Sequence, residues 1–133
     1  MMTPCYCTNL RLAARKLSAI YDTALEPFGI NIAQYFLLRT IRNKQPVSLT
    51  EVGLHAELDR STVGRNVRVL ERMGLVQTRR SETDQREAQV SLSSDGSALM
   101  RDAEPIWESC QHRFVRRLGR DKADVLSALL EAI

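Results

Sequence analysis

The stretch that decides the fold runs from Ser48 to Leu92 and reads SLTEVGLHAELDRSTVGRNVRVLERMGLVQTRRSETDQREAQVSL. In its first half the apolar residues recur three and four positions apart, the spacing of a helix with one buried face. The buried helical row is Val63, Val67 and Leu70. Over residues 75–78 and 88–92, apolar and polar residues alternate as in two short strands. This change of period predicts a helical unit followed by a β-hairpin.

The helical half predicts a helix-turn-helix motif. The capping-box sequence SLTE opens the third helix of the chain, over about residues 48–55. Asp59 or Ser61 caps a fourth helix that reaches Met73, and Gly74 supplies its left-handed end. Two short helices joined by a tight turn have the form of this motif.

Amphipathic helices are predicted on both sides of the stretch. Residues 8–26 carry apolar side chains at helical spacing, and an Asn–Gln capping pair opens a second helix over 31–43. A fifth helix begins at one of residues 93–95, and a sixth holds the apolar residues of 126–133. The apolar stripe of the fifth helix is Leu99, Ala103, Ile106, Trp107, Cys110, Phe114 and Leu118. The predicted order is four helices, two strands and two helices.

A chain of 133 residues allows one domain, residues 1–133, with one hydrophobic core. The predicted fold class is mainly α with a small β-hairpin wing. We expect residues 31–93 to form a winged helix-turn-helix core, flanked by dimerisation helices in residues 8–28 and 95–133. Two long apolar-striped helices outside so small a module need a surface to bury them, which predicts a homodimer.

The net charge of +3 is concentrated in one segment. Residues 59–86 hold seven arginines against four acidic residues, a difference of +3, so the rest of the chain is neutral. The arginines are Arg60, Arg65, Arg68, Arg72, Arg79, Arg80 and Arg86. A neutral body with one arginine-rich segment predicts a local contact with a polyanion rather than a generally basic protein.

Other features exclude several classes of protein. No apolar run approaches the roughly 18 residues of a membrane span, and the N-terminal residues show no secretory-signal pattern. Three irregularly spaced cysteines do not form a disulfide framework. We therefore expect a protein of the cytoplasm, without membrane contact and in a reducing compartment.

The outward face of the fourth helix is the predicted surface for reading double-stranded DNA. The major groove admits one helix, whose early residues face the base edges. The outward residues are Ser61, Thr62, Arg65, Asn66 and Val69. Arg65 can pair with a guanine and Asn66 with an adenine. The flanking Arg60 and Arg68 are expected to reach phosphates.

The hairpin supplies a second candidate DNA contact. Arg79 and Arg80 lie on its first arm, and Asp84 and Arg86 lie at its tip. A narrow minor groove has an enhanced negative potential that attracts an inserted arginine. Asp84 can hold the Arg86 guanidinium through a charge-assisted hydrogen bond. An exposed ion pair of under about 1 kcal/mol is the alternative interpretation.

The run from Ser48 to Leu92, with the SSDG that follows, resembles the winged helix-turn-helix core of the MarR family. Its most specific part is Asp84-x-Arg86 followed by VSLSSDG. The resemblance implies a homodimer with intertwined first, fifth and sixth helices, acting mostly as a repressor on a pseudo-palindromic operator. It also implies that residues 59–73 form the recognition helix and that Arg86 is the wing-tip arginine.

The resemblance leaves two triggers open, and a regulator with no direct effector is the third possibility. Effectors in the family bind between the dimer helices and the DNA module, which implies a small phenolic or amphipathic ligand. Cys7 lies 14 residues before Tyr21, similar to the spacing in the organic-hydroperoxide-sensing branch. Cys110 is comparable to the late cysteine of its two-cysteine members, which implies a Cys7–Cys110 pair across the dimer. From the residues alone, Cys110 in an apolar stripe is typical of a small buried hydrophobe.

Two other functional classes are weaker interpretations. A winged-helix module that binds protein would not need an arginine surplus on both the fourth helix and the hairpin. A small enzyme is disfavoured because no Ser/His/acid or paired-carboxylate pattern is visible. We expect no cofactor and no metal, since Cys5 and Cys7 have no histidine nearby in the sequence.

Overall fold

The computed structural model describes residues 3–80 and 87–133 and is mainly helical with a small sheet. The helices are α1 (Tyr6–Leu25), α2 (Ile32–Lys44), α3 (Leu49–Ala56), α4 (Arg60–Arg72), α5 (Ser94–Leu118) and α6 (Arg120–Ala132). The strands are β1 (Val47–Ser48), β2 (Val76–Arg80) and β3 (Ala88–Leu92). A short 3-10 turn, Glu26–Phe28, follows α1. The predicted fold class is confirmed.

Side-chain caps begin most of these helices. Asn31 accepts a hydrogen bond from the Gln34 amide at 2.9 Å, and the Gln34 side chain accepts one from the Asn31 amide at 3.0 Å. Ser48 caps α3, and Ser93 caps α5. Asp59, rather than Ser61, caps α4. Each cap satisfies a backbone N–H that the first turn of a helix leaves free.

The sheet has three strands in the order β1-β3-β2, all antiparallel, whereas the sequence predicted two strands. The additional strand pairs Val47 with Val90 and Ser48 with Gln89. Two residues after Pro46 are too short to show an alternating pattern, so this strand leaves no sequence signal. Next to this strand, the Gln45 side chain adds a further contact with β3 by accepting a hydrogen bond from the Leu92 amide at 2.9 Å.

The core lies between α2, α3, α4, the sheet and the first half of α5. The predicted row on α4 is buried, as expected. On α5, however, the predicted stripe was partly wrong. The buried residues are Gly96, Met100, Ala103 and Cys110. Ile106 is 38% exposed, because the row that faces the core starts from Gly96, where the helix passes closest to the turn before β2.

Several large apolar side chains on α1, α5 and α6 remain exposed in the single chain. They are Tyr6, Leu10, Leu12, Ile20, Ile106, Val125, Leu126, Leu129 and Leu130, with Ile133 beyond α6. Helix α6 has no buried residue. Among the described residues, no helix is long and apolar enough to cross a membrane.

Gly96 marks a close approach that a side chain would destroy. A Cβ built there would lie 2.0 Å from the carbonyl oxygen of Leu75, which already accepts a hydrogen bond from the Ser93 amide at 3.0 Å. The approach joins the end of the helix-turn-helix to the start of α5.

We expect Gly96→Ala to lower the free energy of unfolding by about 3 kcal/mol, because backbone must move to admit the methyl group. The matched control is Gly64→Ala in α4, where a Cβ meets nothing within 4 Å. That change should raise stability by roughly 0.5–1 kcal/mol through its effect on helix propensity. Urea unfolding followed by circular dichroism measures both, and equal stability of the two variants would contradict the prediction.

Candidate nucleic-acid interface

One face of α4 presents a row of arginines to solvent. At 100° per residue, Ser61, Arg65, Arg68 and Arg72 fall on one side of the helix, opposite the buried valine and leucine row. All four are exposed, as is Arg60 at the start of the helix. Arg72 extends the row to the last turn and was missing from the predicted contacts, because those stopped at the early residues of the helix.

Asp59 fixes the first turn of this helix. Its Oδ1 accepts hydrogen bonds from the Thr62 amide and the Ser61 hydroxyl, both at 2.8 Å. The hydrogen bond from the Thr62 amide, assisted by the side chains of Ser61 and Thr62, lowers the pKa of Asp59 from 3.8 to about 2. Ser61 is therefore engaged with the cap, and its hydroxyl donates within the protein.

The other predicted residues of this face differ in how exposed they are to solvent. Arg65 is exposed, and its Nη2 lies 3.4 Å from Thr62 Oγ1, a contact that holds the side chain along the helix. Asn66 is partly buried, because it lies beside Val63 and Leu70 at the edge of the buried row rather than at the centre of the outward face. Thr62 and Val69 are also partly buried, at the same edge of the exposed face as Asn66.

The described part of the wing consists of β2 and β3. Arg79 pairs with Gln89 and Arg80 with Ala88. Successive strand residues point to opposite faces, so these two exposed arginines serve different sides of the wing. Both arginines nevertheless border one shallow groove, which is also lined by Pro46, Gln77, Gln89 and Ser91. The predicted tip contacts, Asp84 and Arg86, lie outside the described residues.

The three predicted redox residues do not lie together in one chain. Tyr21 is buried and donates a hydrogen bond to Gln111 Oε1. Burial, and secondarily Cys110, raise the pKa of Tyr21. Cys110 is 2% exposed, with Arg113 Nη2 3.4 Å from its sulfur. Cys7 is exposed near the start of α1, about 21 Å along the helix from Tyr21.

A polar and aromatic cluster between α2 and α5 gave no sequence signal. Tyr35 stacks on Trp107 with ring centroids 5.5 Å apart, and the Arg39 guanidinium lies 4.4 Å from the Trp107 ring. Arg42 pairs with Glu104 at 2.8 Å. Burial, and secondarily Glu104, raise the pKa of Tyr35.

Two polar atoms of this cluster are buried without a partner. Within the described part of the chain, neither the Tyr35 hydroxyl nor Arg39 Nε has a hydrogen-bond partner. A buried polar group without a partner costs free energy, so in most folded proteins such a group is paired with a protein atom or an ordered water. No group of three or more His, Cys, Asp or Glu in residues 3–80 and 87–133 is placed to hold a metal.

Known proteins share both the sequence and the fold. Residues 30–88 match the model of the MarR family. The chain is 28% identical over 100 residues to the organic hydroperoxide resistance transcriptional regulator of Bacillus subtilis, which covers 75% of this chain and 68% of that protein. It is 26% identical over 112 residues to the HTH-type transcriptional repressor Mb2911 of Mycobacterium bovis, covering 84% of this chain and 81% of that protein.

Solved structures extend the likeness over nearly the whole chain. The M. tuberculosis transcriptional regulator MosR in complex with DNA is 30% identical, with a TM-score of 0.76 over 97% of this chain and 98% of that one. The S. aureus MepR–DNA complex has a TM-score of 0.86 at 20% identity, over 98% and 96% of the two chains. Because the family match falls on the helix-turn-helix and sheet, and the structural match also includes the flanking helices, the chain belongs to the MarR family of transcriptional regulators.

Proposed function

We propose that this protein is a dimeric, sequence-specific DNA-binding repressor of the cytoplasm that a small effector releases from a pseudo-palindromic operator. The observation that carries the proposal is the arginine row of α4, turned outward by burial of the opposite face. An arginine on a helix in the major groove can read guanine with both Nη atoms, and its neighbours can neutralise phosphates.

Within this proposal the residues have different tasks. Arg65 faces base edges from the first half of α4, and Arg60, Arg68 and Arg72 contact phosphates on either side. Asn66 contributes less to base reading than its sequence position suggests, because it is partly buried. Arg79, Arg80 and the tip residues Asp84 and Arg86 act in the adjacent minor groove. Solved DNA complexes of MosR and MepR support this use of the fold.

The homodimer follows from the exposed apolar residues of the flanking helices. Leu126 and Leu130 lie one turn apart on α6, 42% and 76% exposed, and Ile20 on α1 is 49% exposed. A second copy related by a twofold axis would cover these residues with the same surface. On this proposal residues 31–93 are the DNA module of one domain, and residues 8–28 and 95–133 are its dimerisation helices.

The α2–α5 cluster is the proposed receptor for the effector. If the packing between α2 and α5 opened, a small aromatic carboxylate could take the place of Tyr35 or Arg39 against Trp107, pair with the Arg39 guanidinium and accept a hydrogen bond from Tyr35. Both unpartnered atoms would then be satisfied. The cluster lies between α5, a proposed dimerisation helix, and α2, a helix of the DNA module. A ligand bound there could therefore change the distance between these two helices.

Thiol oxidation is the second candidate trigger, supported by the likeness to the B. subtilis organic hydroperoxide regulator. Within one chain, Cys110 lies near Tyr21, and Cys7 lies about 21 Å from Tyr21 along α1. A disulfide requires the two Cα atoms to lie within about 7 Å of each other. A Cys7–Cys110 pair would therefore form between protomers. A peroxide would oxidise Cys7 to the sulfenic acid, and Cys110 of the other protomer would displace water to form the disulfide.

We expect Arg65→Ala to weaken binding to a DNA fragment from the region upstream of the protein's own gene by about 1–3 kcal/mol and to relax base preference at one position. Fluorescence anisotropy with this fragment and a shuffled duplex measures the effect. The control is Arg117→Ala, an exposed arginine in the last turn of α5. An equal loss on both duplexes would make Arg65 a phosphate contact. Failure of the unaltered protein to bind any duplex would favour a protein-interaction module.

We expect Leu126→Glu combined with Leu130→Glu to convert the dimer to a folded monomer. Burying a leucine stabilises by about 1.5–3 kcal/mol, and the symmetric interface loses two from each protomer, so the dimer Kd should rise at least about a thousandfold. Analytical ultracentrifugation measures the Kd, and circular dichroism checks folding. Leu54→Glu, at an exposed leucine of α3, should leave the dimer unchanged. A dimer that survives the double substitution would place the interface elsewhere.

We expect salicylate, as an aromatic carboxylate, to weaken DNA binding at least about tenfold, the scale of an ordinary coupling free energy between sites. Trp107→Leu should lose this response, whereas Trp107→Phe should keep part of it.

A parallel sample treated with cumene hydroperoxide tests the second trigger on a non-reducing gel, with Cys7→Ser as control. Release by peroxide but not by salicylate, with a cross-linked dimer that Cys7→Ser lacks, would replace the ligand with the thiol switch.

A further inference from the structure

The wing has little backbone support where it leaves the body of the protein. On one side, β1 pairs only with Val90 and Gln89 of β3, and the chain then turns into α3. On the other side, β2 is the outer strand of the sheet. The ladder between β2 and β3 continues to Arg80 and Ala88 beyond the reach of β1. A two-stranded ribbon that projects in this way is only marginally stable on its own.

Two side-chain hydrogen bonds join this ribbon to the helix-turn-helix. Thr50 Oγ1, in the first turn of α3, donates to Glu87 Oε1 at 2.5 Å, one residue before β3. Thr78 Oγ1, in the middle of β2, donates to Glu71 Oε2 at 3.0 Å, in the last turn of α4. Each arm of the wing is thereby joined to a different helix of the motif.

Both acceptors are carboxylates at the edge of a surface that is otherwise basic. A carboxylate beside a DNA phosphate is repulsive, so on electrostatic grounds Glu71 and Glu87 weaken binding. Asp59, the other described acid of the basic segment, also accepts hydrogen bonds from its own chain. All three of these acids therefore have hydrogen-bonding partners within the protein.

We propose that Thr50 and Glu71 are positioning residues that set the angle of the wing to the recognition helix, acting through Glu87 and Thr78. This inference rests on the proposed DNA-binding function. The geometry makes α4 and the wing one rigid recognition surface, so the arginines of β2 reach the groove beside the one that α4 occupies. Loss of either tether should leave the fold intact and loosen the wing.

The decisive experiment compares Thr50→Val, which removes the donor, with Thr50→Ser, which restores it. In the DNA-free protein, we expect Thr50→Val to speed amide hydrogen exchange in β2 and β3 about two- to tenfold, the range expected for loss of one hydrogen bond. Exchange in α5 should be unchanged. Thr50→Ser should return the wing to the original rate. Equal exchange in all three proteins, or no rescue by serine, would overturn the proposal.

DNA binding separates positioning from charge. Thr50→Val keeps the Glu87 carboxylate, so weaker binding with a shallower salt dependence reports a misplaced wing. Glu87→Gln keeps an acceptor and removes the negative charge, so this variant should bind as tightly as the original protein or more tightly. Weaker binding by Glu87→Gln together with unchanged binding by Thr50→Val would overturn the proposal.

The exchange measurement needs no DNA and therefore decides the tether even if the proposed function fails. If the unaltered protein binds no duplex but Thr50→Val loosens the wing, the DNA-binding proposal is wrong and the tether stands. If the protein binds DNA and Thr50→Val changes neither exchange nor affinity, the tether is wrong and the proposed function stands. Thr78→Val provides the same test for the second arm, because it removes the donor to Glu71, and Thr78→Ser is its conservative partner.

Discussion

Burial of one face of α4 is the constraint on which the rest of the structure depends. Val63, Val67 and Leu70 are fully or almost fully buried, and each such side chain stabilises the fold by about 1.5–3 kcal/mol. The direction of Arg65 and Arg68 is fixed by the same packing, because residues on the other side of a helix must face solvent. The surface proposed to meet DNA is thus held by the hydrophobic core and does not need ligand or partner to orient it.

Helix α2 connects this core to the flanking helices at both of its ends. At the start of α2, the Ile32 amide donates to Asp22 Oδ1 of α1 at 2.8 Å. Near its end, Arg42 pairs with Glu104 of α5. The aromatic cluster lies between these ties, so a change in the separation of α2 and α5 must also strain at least one of them. This arrangement gives a proposed effector a physical route to the DNA module.

Sequence patterns predicted the parts of the fold that depend on the spacing of apolar residues and on the residues that cap helices. The α4 row and the caps at Asn31 and Ser48 come from local residue choice, which a single sequence displays. Strand β1 could not be predicted, because two residues carry no period and their partners are more than 40 positions away. The tethers and the Tyr35–Trp107 stack could not be predicted either, because each joins side chains of separate elements and no local pattern shows which elements pack together.

At the candidate site, the sequence predicted helix α4 correctly but not the direction of every residue on it. Asn66 follows Arg65 in sequence and seemed to share its face, but one step of 100° moves it to the edge of the buried row. Arg72 is seven residues from Arg65 and returns almost to the same direction. The outward row from Ser61 to Arg72 is about 16 Å long at 1.5 Å per residue, which corresponds to about five base pairs at 3.4 Å each. So short a segment gives little discrimination alone, and two copies on a twofold axis would double it. The exposed apolar residues of α1 and α6 and the length of the proposed recognition surface therefore both support the proposed homodimer.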